Sequence, residues 1–253
     1  MGKRVMFVAV VSALLLAVPA APQMMSDGNV VKVYFVKAKW GMEKQWEEAF
    51  KKHIAFHKAQ GDKWTWIAWQ AITGPGYGTY GVGTFGHNWE DFDTPSINPE
   101  ADEADYRASV LQFTESVTPS FWLLLKDVSH PTETEVPMSE VLTFELHYGK
   151  VPEFNYLIKK FTDAIVKTQW AVNYEWYALV NGGEMPTYVL VIPHANYASF
   201  KQPAKPFPVM LEEAYGRQEA EALLERLNKC VKEEQSELIR ERSDLGYTPA
   251  MPK

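Results

Sequence analysis

The chain holds a single cysteine, Cys230, among 253 residues. No internal disulfide can form, so packing must supply the stability in any redox compartment. A glycine-rich phosphate loop, a paired-cysteine zinc signature and a nucleophile elbow are all missing, so no local motif names a reaction. Positive charge is also scarce: 25 Lys and Arg against 32 Asp and Glu give a net charge of -7. A surface of that sign repels nucleic acid. Beyond residue 20 no apolar run reaches the roughly 20 residues that span a bilayer as a helix. What is present is a composition of 46% apolar and 13% aromatic side chains, enough for a sizeable core and unlike a disordered tail or a coiled rod.

At the N-terminus, Lys3 and Arg4 precede the apolar run Val5 to Val18 and the small-residue site Val18-Pro19-Ala20. This is the pattern of a secretory signal peptide over residues 1–20. No cysteine follows the run, so a lipoprotein route has no acceptor. The expectation is an exported protein, periplasmic or extracellular, with no membrane span once the segment is removed.

Sliding the chain by 108 positions aligns Val33 to Pro95 with Val141 to Pro203 without a gap, with nine identities in 63 positions. The paired residues include Gly41 with Gly149, Gly74 with Gly182, and Thr79-Tyr80 with Thr187-Tyr188. Element types agree as well, which marks an internal duplication. Each half reads β-α-β-β-α-β. Branched and aromatic residues predict strands at Val31 to Trp40 and Val141 to Tyr148. Apolar spacing of three and four predicts helices at Met42 to Gln60 and Pro152 to Thr168. Strand pairs follow across Gly-containing turns, at Trp64 to Ile72 with Tyr77 to Phe85, and at Val172 to Val180 with Thr187 to Ile192. Second helices are predicted near Asp102 to Val117 and Leu211 to Glu234, then last strands near Phe121 to Val128 and Glu237 to Ser243. The halves occupy residues 29–128 and 140–246, with residues 129–139 as a linker.

Two such split βαβ units, each covered by helices on one sheet face, leave two bare faces that can bury each other. On element order and repeat spacing from Val31 to Ser243, the chain resembles the dimeric α/β barrel superfamily in its tandem fused form: an α+β fold with two ferredoxin-like βαββαβ halves on one chain. The resemblance is to antibiotic-biosynthesis-type monooxygenases and NIPSNAP-like proteins, and the superfamily also holds haem-degrading enzymes and haem peroxidases. It implies a cofactor that is either none or haem. Because both halves lie on one chain, no obligate homodimer through the sheets is expected. Fold alone does not choose among these activities.

The duplication serves as an internal control on which positions face inward. Trp46, Phe50, His53 and His57 share one stripe of the first helix, and their partners are Phe154, Ile158, Phe161 and Ile165. Both histidines therefore occupy inward positions, where a buried imidazole needs a polar partner. Trp40, Trp64, Trp66 and Tyr80 fall on the same side of the strands, giving an aromatic pocket with His53 and His57 as candidate catalytic groups and no metal assigned. The residues also fit an ordinary aromatic core. The opposite strand face carries Lys37, Lys39 and Trp69 in the first half and Glu145, His147, Glu175 and Tyr177 in the second. Charge complementarity across the pseudo-twofold accounts for these, and Lys37, Glu145, His147 and Glu175 form an alternative polar or weakly metal-binding lumen cluster. Gly81 and Gly83 within a strand mark a bulge or a close approach by a ligand. His130, His194 and the acidic tract Pro99 to Asp105 read as solvated surface, and Cys230 as a core thiol. Replacing His53 by Phe and His57 by Ile, the residues of the second half, is expected to keep the fold.

Two functions from different classes remain open. One is an exported protein with oxygenase-like activity on a flat aromatic substrate or haem. The other is a non-catalytic exported module that binds a small hydrophobic or aromatic molecule or a partner protein. The export reading is checked on protein secreted by its natural host: mass spectrometry should find the N-terminus at or near Ala21, and an intact Met1 in the cytoplasm would refute it.

Overall fold

The computed structural model describes residues 28–132, 134–201 and 205–250. The signal-peptide expectation lies outside the described residues. Among the described residues the fold is α+β, with an eight-stranded antiparallel sheet and five α-helices. In chain order the first six elements are β1 (Val30–Ala38), α1 (Glu43–Ala59), β2 (Ile67–Ala71), β3 (Tyr80–His87), α2 (Pro99–Ser109) and β4 (Thr114–Leu124). They are followed by β5 (Met138–Leu146), α3 (Val151–Thr168), β6 (Glu175–Asn181), β7 (Thr187–His194), α4 (Phe207–Tyr215), α5 (Arg217–Cys230) and β8 (Val231–Glu241).

The strands close into a barrel in the order β1-β3-β2-β8-β5-β7-β6-β4. Two seams join the chain's halves: β2 pairs with β8 from Trp69 opposite Glu241 to Ala71 opposite Ile239, and β4 pairs with β6 from Phe121 opposite Asn181 to Leu124 opposite Tyr177. The expected face-to-face sandwich is thus a cylinder whose edges are hydrogen-bonded, which removes exposed strand edges. Val33 and Val141 lie in like positions on β1 and β5. The helical stripes agree too. Trp46 and Phe154 are both fully buried, and so, within a few per cent, are the pairs Phe50 and Ile158, His53 and Phe161, and His57 and Ile165.

Several boundaries differ from the sequence expectation. The helix expected over Asp102 to Val117 ends at Ser109, and the last strand starts at Thr114 instead of near Phe121. Thr114, Val117 and Thr118 are β-branched, and they pair with Ala38, Val36 and Phe35 at the end of β1. The helix expected over Leu211 to Glu234 is broken at Gly216, whose φ of 82° lies in the left-handed region. Its last residues, Val231 to Glu234, are already strand, because β5 offers them a ladder from Leu146 to Phe144 that outweighs the helix propensity of lysine and glutamate. Helix α2 starts where Asn98 caps it, its side chain accepting from the amides of Glu100 and Ala101, with Pro99 at the first position.

Helices α1 and α2 cover the outside of the first half and α3 to α5 the second, where the larger core cluster gathers Phe154, Phe161, Trp176, Leu211 and Cys230. Cys230 is a buried core thiol, as expected. A clasp crosses between the halves: Arg242, just after β8, donates to Glu47 of α1 at 2.6 Å, and Glu47 also accepts from the Tyr80 hydroxyl at 2.8 Å.

The glycines of β3 have a structural explanation. Gly81 sits opposite Trp69 in the register, and a Cβ at Gly81 would lie 2.1 Å from the Trp69 indole. The close approach that the sequence suggests is made by a neighbouring tryptophan inside the barrel. Gly81→Val should therefore destabilise the protein by about 1–3 kcal/mol in urea unfolding, and adding Trp69→Ala should recover part of that loss as a non-additive pair. Strict additivity would show that Trp69 is not what requires the glycine.

Candidate functional site

His53 and His57 are one turn apart on α1, so both imidazoles leave the same face. That face is turned toward α2, and the side chains retain only 7% and 5% of their exposure. Each Nδ1 faces a carboxylate: His53 Nδ1 lies 2.8 Å from Asp105 Oδ2, and His57 Nδ1 lies 2.7 Å from Asp62 Oδ2. The two Nε2 atoms are consequently directed toward each other, 3.4 Å apart. Asp102, three residues before Asp105 on α2, places its Oδ1 3.3 Å from His53 Nε2 and 3.1 Å from His57 Nε2. That oxygen is shielded from solvent and makes no directed hydrogen bond.

Asp62 anchors the arrangement. It follows the end of α1, is fully buried, and accepts from the Trp66 indole at 2.8 Å and the Trp64 amide at 2.9 Å besides its contacts with His57 and Ser96. Burial works against its charge, yet the hydrogen bonds from His57, Ser96, Trp64 and Trp66 outweigh burial and hold its carboxyl at about 2. For His57, burial opposes the charged form but the carboxylates of Asp102 and Asp62 prevail, raising it to about 9. His53 is shifted down, chiefly by burial and also by the charge on His57.

A cavity of about 480 Å³ opens onto this cluster from between the helices and the outer sheet face. Tyr34, Phe50, Ile54, Trp66 and Val82 give it apolar walls, the imidazoles and Asp102 form its polar end, and Glu103 and Arg107 lie at its side. A smaller hollow of about 130 Å³ continues past His57 to Asp62, Trp64 and Phe92. The histidines, Trp64 and Trp66 therefore come together as the sequence suggests.

Other expectations are corrected. Trp40 is 93% exposed, because β1 ends at Ala38 and Trp40 sits in the turn before α1; its repeat partner Tyr148 is equally exposed. Tyr80 is buried but lies beyond the cavity, stacked on Trp46 at 4.3 Å. The lumen cluster does not assemble. Lys37 and His147 are exposed at strand ends, Glu145 pairs with Lys232 at 3.1 Å, and Lys39 donates to the Gln112 carbonyl, so no charge pairing across the pseudo-twofold forms from them. Only Glu175 lines the lumen, accepting from the Tyr177 hydroxyl at 3.1 Å. His194 is buried against Phe200, with ring centroids 3.8 Å apart, rather than on the surface, whereas His130 is exposed. No metal is assigned from the sequence, yet His53, His57 and Asp102 bring three atoms able to ligate an ion within 4.8 Å of one another.

Sequence reasoning missed Asp62, Asp102 and Asp105. The spacing of three between Asp102 and Asp105 signals a shared helix face, but in an acidic stretch the same spacing equally fits solvent. The swap of His53 and His57 to Phe and Ile is no longer neutral, since it would strip Asp62 and Asp105 of their partners.

Among solved structures, the chain is similar to a candidate monooxygenase from Lactobacillus acidophilus NCFM, with a TM-score of 0.53 at 10% identity over 88% of this chain and 97% of that one. It is also similar to an anthrone oxidase-like protein, with a TM-score of 0.53 at 10% identity over 85% and 92%. A candidate chlorite dismutase follows, with a TM-score of 0.52 at 9% identity over 85% and 96%. At these identities the likeness shows the fold alone. No protein-family model matches the chain, and no curated protein does.

Histidine-ligated haem, which the superfamily resemblance implies as one cofactor, does not fit the residues present. An imidazole that holds haem iron must direct a free nitrogen into open space. Both Nε2 atoms here face each other and Asp102, and among the described residues no histidine lines the barrel lumen. No described helix is long and apolar enough to cross a membrane.

If Asp62 organises the site, Asp62→Ala should destabilise the protein by about 3–5 kcal/mol in urea unfolding, the cost of leaving a buried partner uncompensated. Trp40→Ala should change stability by no more than about 0.5 kcal/mol. Equal small effects would show that the buried network is not what holds α1 to its surroundings.

Proposed function

We propose that the protein is an exported, oxygenase-like enzyme that holds a flat, mainly apolar aromatic substrate in the cavity between α1, α2 and the outer sheet face. One observation carries the reading: a cavity of about 480 Å³ with aromatic and aliphatic walls ends on two buried, carboxylate-backed imidazoles. Ligand sites have this form, apolar walls with a few convergent polar groups. Aromatic walls favour a planar ring system, and the polar end orients its oxygen substituent toward His53 and His57. Fold similarity to a candidate monooxygenase and an anthrone oxidase-like protein raises the oxygenase class above others, as an analogy.

The reading includes a tandem duplication in which one chain supplies both ferredoxin-like halves, so no homodimer through the sheets is needed. Only the first half carries the chemistry. In the second, Phe161 and Ile165 fill the space that the imidazoles occupy in the first. The N-terminal segment supports export.

The test is oxygen uptake by the purified chain with a two-ring aromatic quinol, alongside direct binding of that compound. Ile54→Trp, which fills the cavity from its apolar wall and leaves both histidines in the chain, should weaken binding at least about tenfold, or ~1.4 kcal/mol, while the fold persists. Binding without oxygen uptake would favour the non-catalytic module. Neither binding nor uptake would overturn the cavity as the working site.

A further inference from the structure

We propose that His53 Nε2, His57 Nε2 and Asp102 Oδ1 bind one divalent transition-metal ion, with its remaining coordination positions open to the cavity. The three atoms form a triangle with sides of 3.4, 3.3 and 3.1 Å. Ligands about 2.1 Å from one ion lie about 3.0 Å apart at right angles and about 3.4 Å apart at the tetrahedral angle. The observed sides fall in this range, so an ion fits above the triangle with little side-chain movement.

The surrounding polar groups are arranged as an ion would require. Asp105 and Asp62 hold the two Nδ1 positions, so each ring presents its Nε2 to an ion, which binds by displacing any proton held there. Carboxylates behind metal-binding imidazoles commonly do this, orienting the ring and raising its basicity. Two imidazole nitrogens and a solvent-shielded carboxylate oxygen without a directed hydrogen bond then converge at the polar end of the cavity. Such a convergence is costly unless a cation occupies it.

Imidazole nitrogen disfavours magnesium and calcium, while two histidines with one carboxylate suit iron(II) or zinc(II). Three protein ligands on one side leave the opposite side accessible, and here that side is the cavity of about 480 Å³. The same helical spacing in the second half carries Phe161 and Ile165, so a single ion per chain is expected. The site stands on ligand geometry alone and does not rest on the oxygenase reading.

The experiment is metal titration of the full chain after chelator treatment, with cobalt(II) as a visible probe and zinc(II) and, without oxygen, iron(II) as competitors. One equivalent should bind, and X-ray absorption of the cobalt-loaded wild type should show two imidazole ligands. Asp105→Asn should weaken binding about 10–100-fold by releasing the His53 ring, and the isosteric Asp102→Asn should weaken it at least as much. Circular dichroism checks that both variants fold. Absence of stoichiometric binding by wild type, a coordination shell without imidazole, or unchanged affinity in a folded Asp102→Asn would each overturn the site. Competition by zinc or by iron identifies the ion, and binding without oxygen uptake leaves the metal site standing while the oxygenase reading falls.

Discussion

Every strand of the barrel is paired on both sides, and this closure governs where anything else can be placed. The seams between β2 and β8 and between β4 and β6 join the halves through backbone hydrogen bonds. With no edge left over, the helices can pack only on the outside, and the lumen is sealed from them. The molecule therefore has two distinct interiors. The larger hollow, about 610 Å³ inside the barrel, is mainly apolar, with Glu175, Glu237 and Glu241 along its lining. Burial raises the pKa of all three carboxyls, and no imidazole accompanies them. The buried imidazoles and their carboxylates instead collect outside the barrel, where α1 packs against α2.

The two halves share a frame but use it differently. In the second half, Phe154, Ile158, Phe161 and Ile165 present a continuous apolar stripe to the sheet, and α4 and α5 complete a large core. In the first half the same stripe ends in two imidazoles, and α2 answers with Asp102 and Asp105 in place of apolar side chains. The result is a smaller apolar cluster and a cavity. Burying these charges is costly, and the cost is offset because nearly every donor and acceptor has a partner: Asp62 alone receives His57, Trp66, the Trp64 amide and Ser96. A polar cluster built to this degree fixes the direction of each ring.

Glycine and tryptophan usage follows from the same closure. Trp69 projects into the lumen, where Gly81 makes room for its indole, so the glycine-rich β3 reflects filling of the barrel. Trp40 and Tyr148 show the opposite case: equally aromatic, but placed one step past the strand ends, they find nothing to pack on. An aromatic residue continues a strand's pattern in sequence whether or not the ladder continues beneath it.

The sequence by itself determined the order of elements, the repeat of 108 residues and the inward direction of His53 and His57, because periodicity and the apolar partners Phe161 and Ile165 are local signals. It also determined that Cys230 belongs to the core. Tertiary structure alone decided the rest. Strand pairing with β1 and β5 moved the ends of the second helices, since a ladder partner outweighs the modest propensities of Thr114 to Val117 and Val231 to Glu234. Packing of α2 against α1 turned Asp102 and Asp105 inward, although their spacing is equally that of a solvated helix face. Closure of the barrel kept Lys37, Glu145, His147 and Glu175 apart. Each of these depends on which surface meets which across long stretches of chain, and a one-dimensional pattern specifies a residue's face without specifying what that face will touch.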